Sequence, residues 1–106
     1  MMNEKKINTL LAMGASRWTK YGRDRLYLRN CYQELLKIKI SYYNSGNISC
    51  VSLDGEGISN SEANRIKDMA YGCYIDLMKD EIVVDGKETS RVRNFKALIS
   101  EAIEGL

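Results

Sequence analysis

Hydrophobic positions along this chain recur at two spacings. Over residues 3–13 they fall at helical spacing: Ile7, Leu10 and Leu11 make one stripe, Asn3 stands where a cap is needed, and Gly14 offers a left-handed stop. From residue 17 the period shortens to two. Arg17–Tyr21 and Asp24–Arg29 predict a hairpin turning at Gly22-Arg23, with Leu26 and Leu28 on one face and Arg25, Tyr27 and Arg29 on the other. Asn30–Leu36 predicts a short helix capped by Asn30. Lys37 to Tyr43 alternates again, Ile38, Ile40 and Tyr42 against Lys37, Lys39, Ser41 and Tyr43. Asn44-Ser45-Gly46-Asn47 is then a turn, and Ile48–Leu53 its returning strand.

Asp54-Gly55-Glu56-Gly57 breaks the chain. Ser59 and Glu62 follow at capping-box spacing, with Ile58 placed to staple against Ala63. The helix they open turns Ala63, Ile66, Met69 and Ala70 inward and stops at Gly72. Cys73–Met78 and Glu81–Val84 predict a further hairpin around Lys79-Asp80, ended by Asp85-Gly86. From Thr89 or Ser90 a last helix carries Val92, Phe95, Leu98, Ile99, Ala102 and Ile103 on one stripe. Strands that come in hairpins make a largely antiparallel sheet, so the expected class is α+β, with about three helices packed on one face.

The 106 residues suit a single domain, 1–106, with one core and little room for a deep cofactor site. A 44% hydrophobic and 28% charged composition is that of a folded, soluble chain. No apolar run reaches the ~20 residues of a membrane span, and Met1 to Lys6 leads into an amphipathic segment, not a signal sequence. The expected location is cytoplasmic. With no histidine there is no ordinary general base near neutral pH and no imidazole ligand. Cys31, Cys50 and Cys73 are too widely spaced for a zinc site and are read as buried small hydrophobes. Asp54 and Glu56, like Asp76, Asp80, Glu81 and Asp85, match neither an EF-hand nor a phosphate loop and are read as solvated turn residues. No cofactor and no catalytic residue are expected; a carboxylate nuclease on Asp54, Glu56 and Asp76 has only those loosely spaced acids behind it.

Charge is uneven. Residues 1–45 hold nine Lys/Arg against three Asp/Glu, a net of +6, and residues 46–106 seven against eleven, a net of −4. The basic half is densest at residues 17–29, which contain the only Trp, two of the seven Tyr and five of the sixteen cations. Interleaved cations and aromatics suit a surface that grips phosphates, bases or a protein. The candidate contact residues are Arg17, Trp18, Lys20, Arg23, Arg25, Tyr27 and Arg29, extended by Lys37 and Lys39 if their strand lies alongside. The plainer alternative is a buried Trp18 beside a solvated edge strand. Tyr42, Tyr43, Tyr71 and Tyr74 are read as core and rim packing.

Arg17-Trp18-Thr19-Lys20, Asp24-Arg25-Leu26-Tyr27, Tyr43-Asn44-Ser45-Gly46-Asn47-Ile48-Ser49 and Ile58-Ser59-Asn60-Ser61 together resemble small proteins of phages and mobile elements in Gram-positive bacteria. The resemblance spans residues 14–70 and transfers no catalytic residue. It implies an accessory protein, of a class some of whose members block host defences such as CRISPR nucleases. The expectation is a non-catalytic binding protein that occludes a host defence nucleoprotein. The alternative is a small nucleic-acid-binding protein using the basic strand surface.

Overall fold

The computed structural model describes residues 2–106. The chain runs α1 (Glu4–Ala12), β1 (Ser16–Lys20), β2 (Arg23–Tyr27), α2 (Tyr32–Leu35), β3 (Ile38–Tyr42), β4 (Ile48–Leu53), β5 (Glu56–Ile58), α3 (Asn60–Tyr71), β6 (Cys73–Asp76), β7 (Glu81–Val84) and α4 (Ser90–Glu104). The three longer helices each open on a short polar side chain that satisfies an orphan amide. Asn3 accepts from the Lys6 N–H at 2.9 Å, Ser59 from Glu62 at 3.0 Å and Thr89 from Val92 at 3.2 Å. Such caps contribute about 1 kcal/mol each. Glu62 turns its carboxylate to Arg91 of α4, 2.8 Å away, and so ties α3 to α4.

Asn30 does not cap α2. The cap position is Cys31, with no side-chain hydrogen bond, and the helix is only four residues long. The neighbourhood of Asn30 is set by a close approach instead. A Cβ on Gly14 would stand 2.8 Å from the Asn30 carbonyl oxygen, and Gly14 has φ +115°. Only glycine fits both conditions, so the end of α1 can pass directly against the loop that enters α2.

The expected hairpins form, and they sort into two antiparallel sheets. One has the order β1-β2-β6-β7, the other β3-β4-β5. The β1–β2 turn lies at Tyr21-Gly22, one residue earlier than the sequence suggests, because Lys20 opposes Arg23. Both turn residues have positive φ, 54° and 70°. That is the left-handed pair that matches the twist of adjoining strands. Asp54-Gly55 repeats the device at 50° and 86°, so this glycine-rich stretch is no break: it is a second tight turn, leading straight into β5.

The four-stranded sheet has a dry face and an open one. Leu26, Leu28, Cys73, Ile75 and Val84 face inward and join Leu10, Ile66, Ala70, Val92, Phe95, Ile99 and Ile103 of the helices in one buried cluster. Each fully buried Leu or Ile in it stabilises the fold by roughly 1.5–3 kcal/mol. Cys31 and Cys73 belong to this cluster; Cys50, expected with them, is exposed. The radius of gyration is 14.4 Å, where a compact chain of this length has about 13 Å. The difference matches two hairpin ends, residues 16–23 and 41–50, in which every residue is exposed. Among the described residues, no helix is long and apolar enough to cross a membrane.

Candidate interaction surface

Directly opposed residues in an antiparallel pair share a face. Trp18 opposes Arg25, Lys20 opposes Arg23, and Ser16 opposes Tyr27. Across the next seam Arg25 opposes Asp76 and Tyr27 opposes Tyr74; beyond it Asp76 opposes Glu81 and Tyr74 opposes Val83. All of these side chains therefore stand on the open face of the four-stranded sheet. Trp18 is 46% exposed, which rules out its reading as a core residue.

Cations on this face lie over rings. The Arg25 guanidinium is 4.4 Å from the centroid of Tyr74, and its Nη1 donates to the Tyr27 hydroxyl at 3.4 Å. That hydrogen bond, followed by the nearby Tyr74 and Asp76, holds the Arg25 pKa above its ordinary value. Tyr27 and Tyr74 pack at 5.3 Å, tilted by 45°. Lys20 Nζ sits 5.5 Å from the Trp18 ring and 5.9 Å from Tyr21. Just beyond the end of β2, Arg29 lies 4.2 Å over Tyr71, whose ring also takes Lys67 Nζ at 5.4 Å. The result is a stripe along β2 in which cation and ring alternate. Each contact contributes only about 0.5–1 kcal/mol at such exposure. Its larger effect is to fix long side chains in advance, so that less rotamer freedom is lost when a partner arrives. A guanidinium stacked by its face still presents its N–H edge to carboxylates or phosphates.

Three of the expected contact residues lie elsewhere. Arg17 is on the opposite face of β1 from Trp18 and Lys20. There it makes a two-pronged ion pair with Asp24, Nε to Oδ1 at 3.0 Å and Nη2 to Oδ2 at 2.9 Å. That hydrogen bonding holds the Asp24 carboxyl below the usual range and raises Arg17. Lys39 belongs to the three-stranded sheet and Lys37 to the turn that leads into it, so they do not extend the stripe; the strand beside β2 is β6. Lys37 pairs with Asp54 at 3.8 Å, well exposed.

Tyr71 and Tyr74 are neighbours of the candidate surface that a strand-by-strand reading leaves in the core or at its rim. For Tyr74 the signal is present only in the pairing of β2 with β6, a contact between residues about fifty positions apart, and Tyr71 ends the helix that leads into β6. Asp76 has a structural duty too: its Oδ1 accepts from the Met78 and Lys79 amides at 3.0 and 3.2 Å and shapes the β6–β7 turn. Asp54 and Glu56 lie on the other sheet from Asp76. Among the described residues, no three His, Cys, Asp or Glu converge to hold a metal. Burial pushes the Cys31 and Cys73 thiols up to about 11 and about 12, so neither is a thiolate at neutral pH. No protein family, curated protein or solved structure matches the chain.

Proposed function

We propose that this is a non-catalytic binding protein of mobile-element origin. It docks the open face of its four-stranded sheet on a host defence nucleoprotein, such as a CRISPR effector, in the bacterial cytoplasm and inhibits it by occlusion. The observation that carries the docking face is the preset stripe of Lys20, Arg25 and Arg29 interleaved with Trp18, Tyr27, Tyr71 and Tyr74, with Arg23 beside Lys20. The kind of partner follows from the sequence resemblance. The same face carries Asp76 beside Arg25 and Glu81 at its other edge. A surface with both signs side by side fits a protein target better than it fits bare nucleic acid, which would repel the acidic edge.

A second reading rests on its own observation. Tyr27 and Tyr74 lie side by side on the two central strands of an open four-stranded sheet, with arginines around them. That is the arrangement by which a sheet stacks the bases of a single strand. Salt separates the two. Phosphate contacts give a logarithmic affinity that falls steeply with salt, by about one unit of slope per contact, whereas a packed protein interface responds weakly.

The test is a folded Arg25→Glu/Arg29→Glu double variant in a phage or CRISPR interference assay. Inhibition is expected to disappear while the circular dichroism spectrum stays that of the wild type. Full inhibition by the variant would remove this face as the docking surface.

A further inference from the structure

Beyond Lys39, the hairpin of β3 and β4 carries no charge. Residues 40–53, fourteen in a row, include no Lys, Arg, Asp or Glu, in a chain that is 28% charged. Ten of them, residues 41–50, are exposed, with Tyr42 61%, Tyr43 62% and Ile48 40% open to solvent. Register puts Ile38, Ile40, Tyr42, Ile48, Val51 and Leu53 on one face of this arm. Leu53 lies at the base of the arm, where it lines a groove of about 340 Å³ with Leu35, Leu36, Leu98, Ala102 and Leu106. A projecting arm that is apolar on one face and uncharged beyond Lys39 has little charge to desolvate on leaving water. Its one cation, Lys39, stands on the other face, opposite Ser52.

The free edge of this arm has a definite chemistry. β3 ends its sheet, and no strand lies on its outer side among the described residues. Lys37 O accepts from the Asp54 N–H at 3.1 Å, and the Tyr43 N–H donates to Asn47 O at 2.8 Å. Odd-numbered residues of β3 thus turn their backbone groups toward β4. Strand alternation leaves those of Ile38, Ile40 and Tyr42 pointing outward, unpaired by any strand. A row of outward groups centred on one residue is complementary to its own two-fold image.

We propose that a second copy of this chain binds here, β3 against β3 and antiparallel about Ile40, joining the two three-stranded sheets into one. Ile40 then faces Ile40 of the second copy and Ile38 faces Tyr42, each exchanging both of its outward backbone bonds. Shifting the centre along the strand leaves one of these residues without its match, and centring on Lys39 would set the two lysines against each other. In the Ile40 register Lys39 instead faces Ser41, and Lys37 faces the Tyr43 ring. Tyr43 and Asn44 at the tip of one arm arrive beside Leu36 and Lys37 of the other copy, at the lip of its apolar groove. Residues 36–44 of each copy are matched in this register, all of β3 with the ends that flank it.

The test is sedimentation velocity of the full chain over a concentration series. The wild type is expected to pass from monomer to dimer as concentration rises. Ser41 is exposed and its side chain is free to change without disturbing the core, so charge can be placed opposite Lys39 of the second copy. Ser41→Lys is expected to weaken the dimer several-fold and Ser41→Glu to keep or tighten it, with unchanged circular dichroism for both. A wild type that stays monomeric throughout the series, or a dimer to which Lys and Glu at position 41 are equivalent, would overturn the proposal.

Discussion

Two hairpins of this molecule leave the body, and they solve the problem of exposure in opposite ways. The β1–β2 hairpin keeps its edge in water by cladding it with cations: Lys20, Arg23 and Arg25 share a face with Trp18 and Tyr27. The β3–β4 hairpin carries Tyr42, Tyr43 and Ile48 into solvent with no charge between residues 40 and 53. Their inner anchorage differs as well. β2 is a central strand whose Leu26 and Leu28 are wholly buried, whereas β3 is an edge and only Val51 of its partner strand falls to 2% exposure. Identical secondary structure thus yields one surface whose charges suit attraction at a distance and one whose chemistry suits adhesion on contact. Steering belongs to the first, desolvation to the second.

The sharpest way to break this distinction is to truncate each hairpin. Leu26→Ala, on the buried side of β2, is expected to cost about 2–5 kcal/mol. Ile48→Ala on the arm should stay within about 0.5 kcal/mol for the monomer. Equal losses in chemical denaturation would mean that the arm is packed as firmly as the sheet. Binding comes next in size. Arg25→Ala is expected to reduce partner affinity by about 2 kcal/mol, as for a central interface arginine, and to leave the denaturation midpoint nearly unchanged. Lys39→Ala should have no effect on that affinity, since it belongs to the other sheet; an equal loss from both would merge the two surfaces.

Smaller again is the cap of α3, the helix that leads from the arm's sheet into the other. Ser59→Ala is expected to lower stability by about 1 kcal/mol, read as a shift in denaturation midpoint, through loss of the hydrogen bond to Glu62. The smallest effect is a pH response confined to the β1–β2 hairpin. Asp24 has its carboxyl lowered by Arg17, so its contribution is complete above an unfolded value of about 3.9 and fades as pH falls through the lower folded value. Asp24→Asn should flatten that acid-side decline slightly and lower the curve above pH ~5 by a small, pH-independent amount. A variant that steepens the decline would reverse the sign assigned to this pair.

Much of the fold was legible because its signals are local. Ser59, Thr89 and Asn3 each announce a helix start, and period-two runs announce β1 to β4. The strand β5 was not legible: Glu56-Gly57-Ile58 is too short to show alternation, and Asp54-Gly55 serves as well in a loop as in a hairpin. Division into two sheets was hidden for a different reason. Hairpin partners are neighbours in sequence, but the β2–β6 seam joins Tyr27 to Tyr74, and no periodicity records such a pairing. Within the candidate surface, strand parity was enough to place Trp18, Lys20, Arg25 and Tyr27 together. The same parity sets Arg17 on the other side, which proximity in sequence conceals.

The placement of the three thiols gives the molecule a set of internal clocks. Cys50 stands in solvent on the arm, while Cys31 and Cys73 are buried in the main cluster with thiols pushed up to about 11 and about 12. An alkylating reagent needs both access and a thiolate. Cys50 therefore reads the arm as it stands. The other two can be labelled only when the sheet and its helices part, so their slow kinetics time the opening of the body.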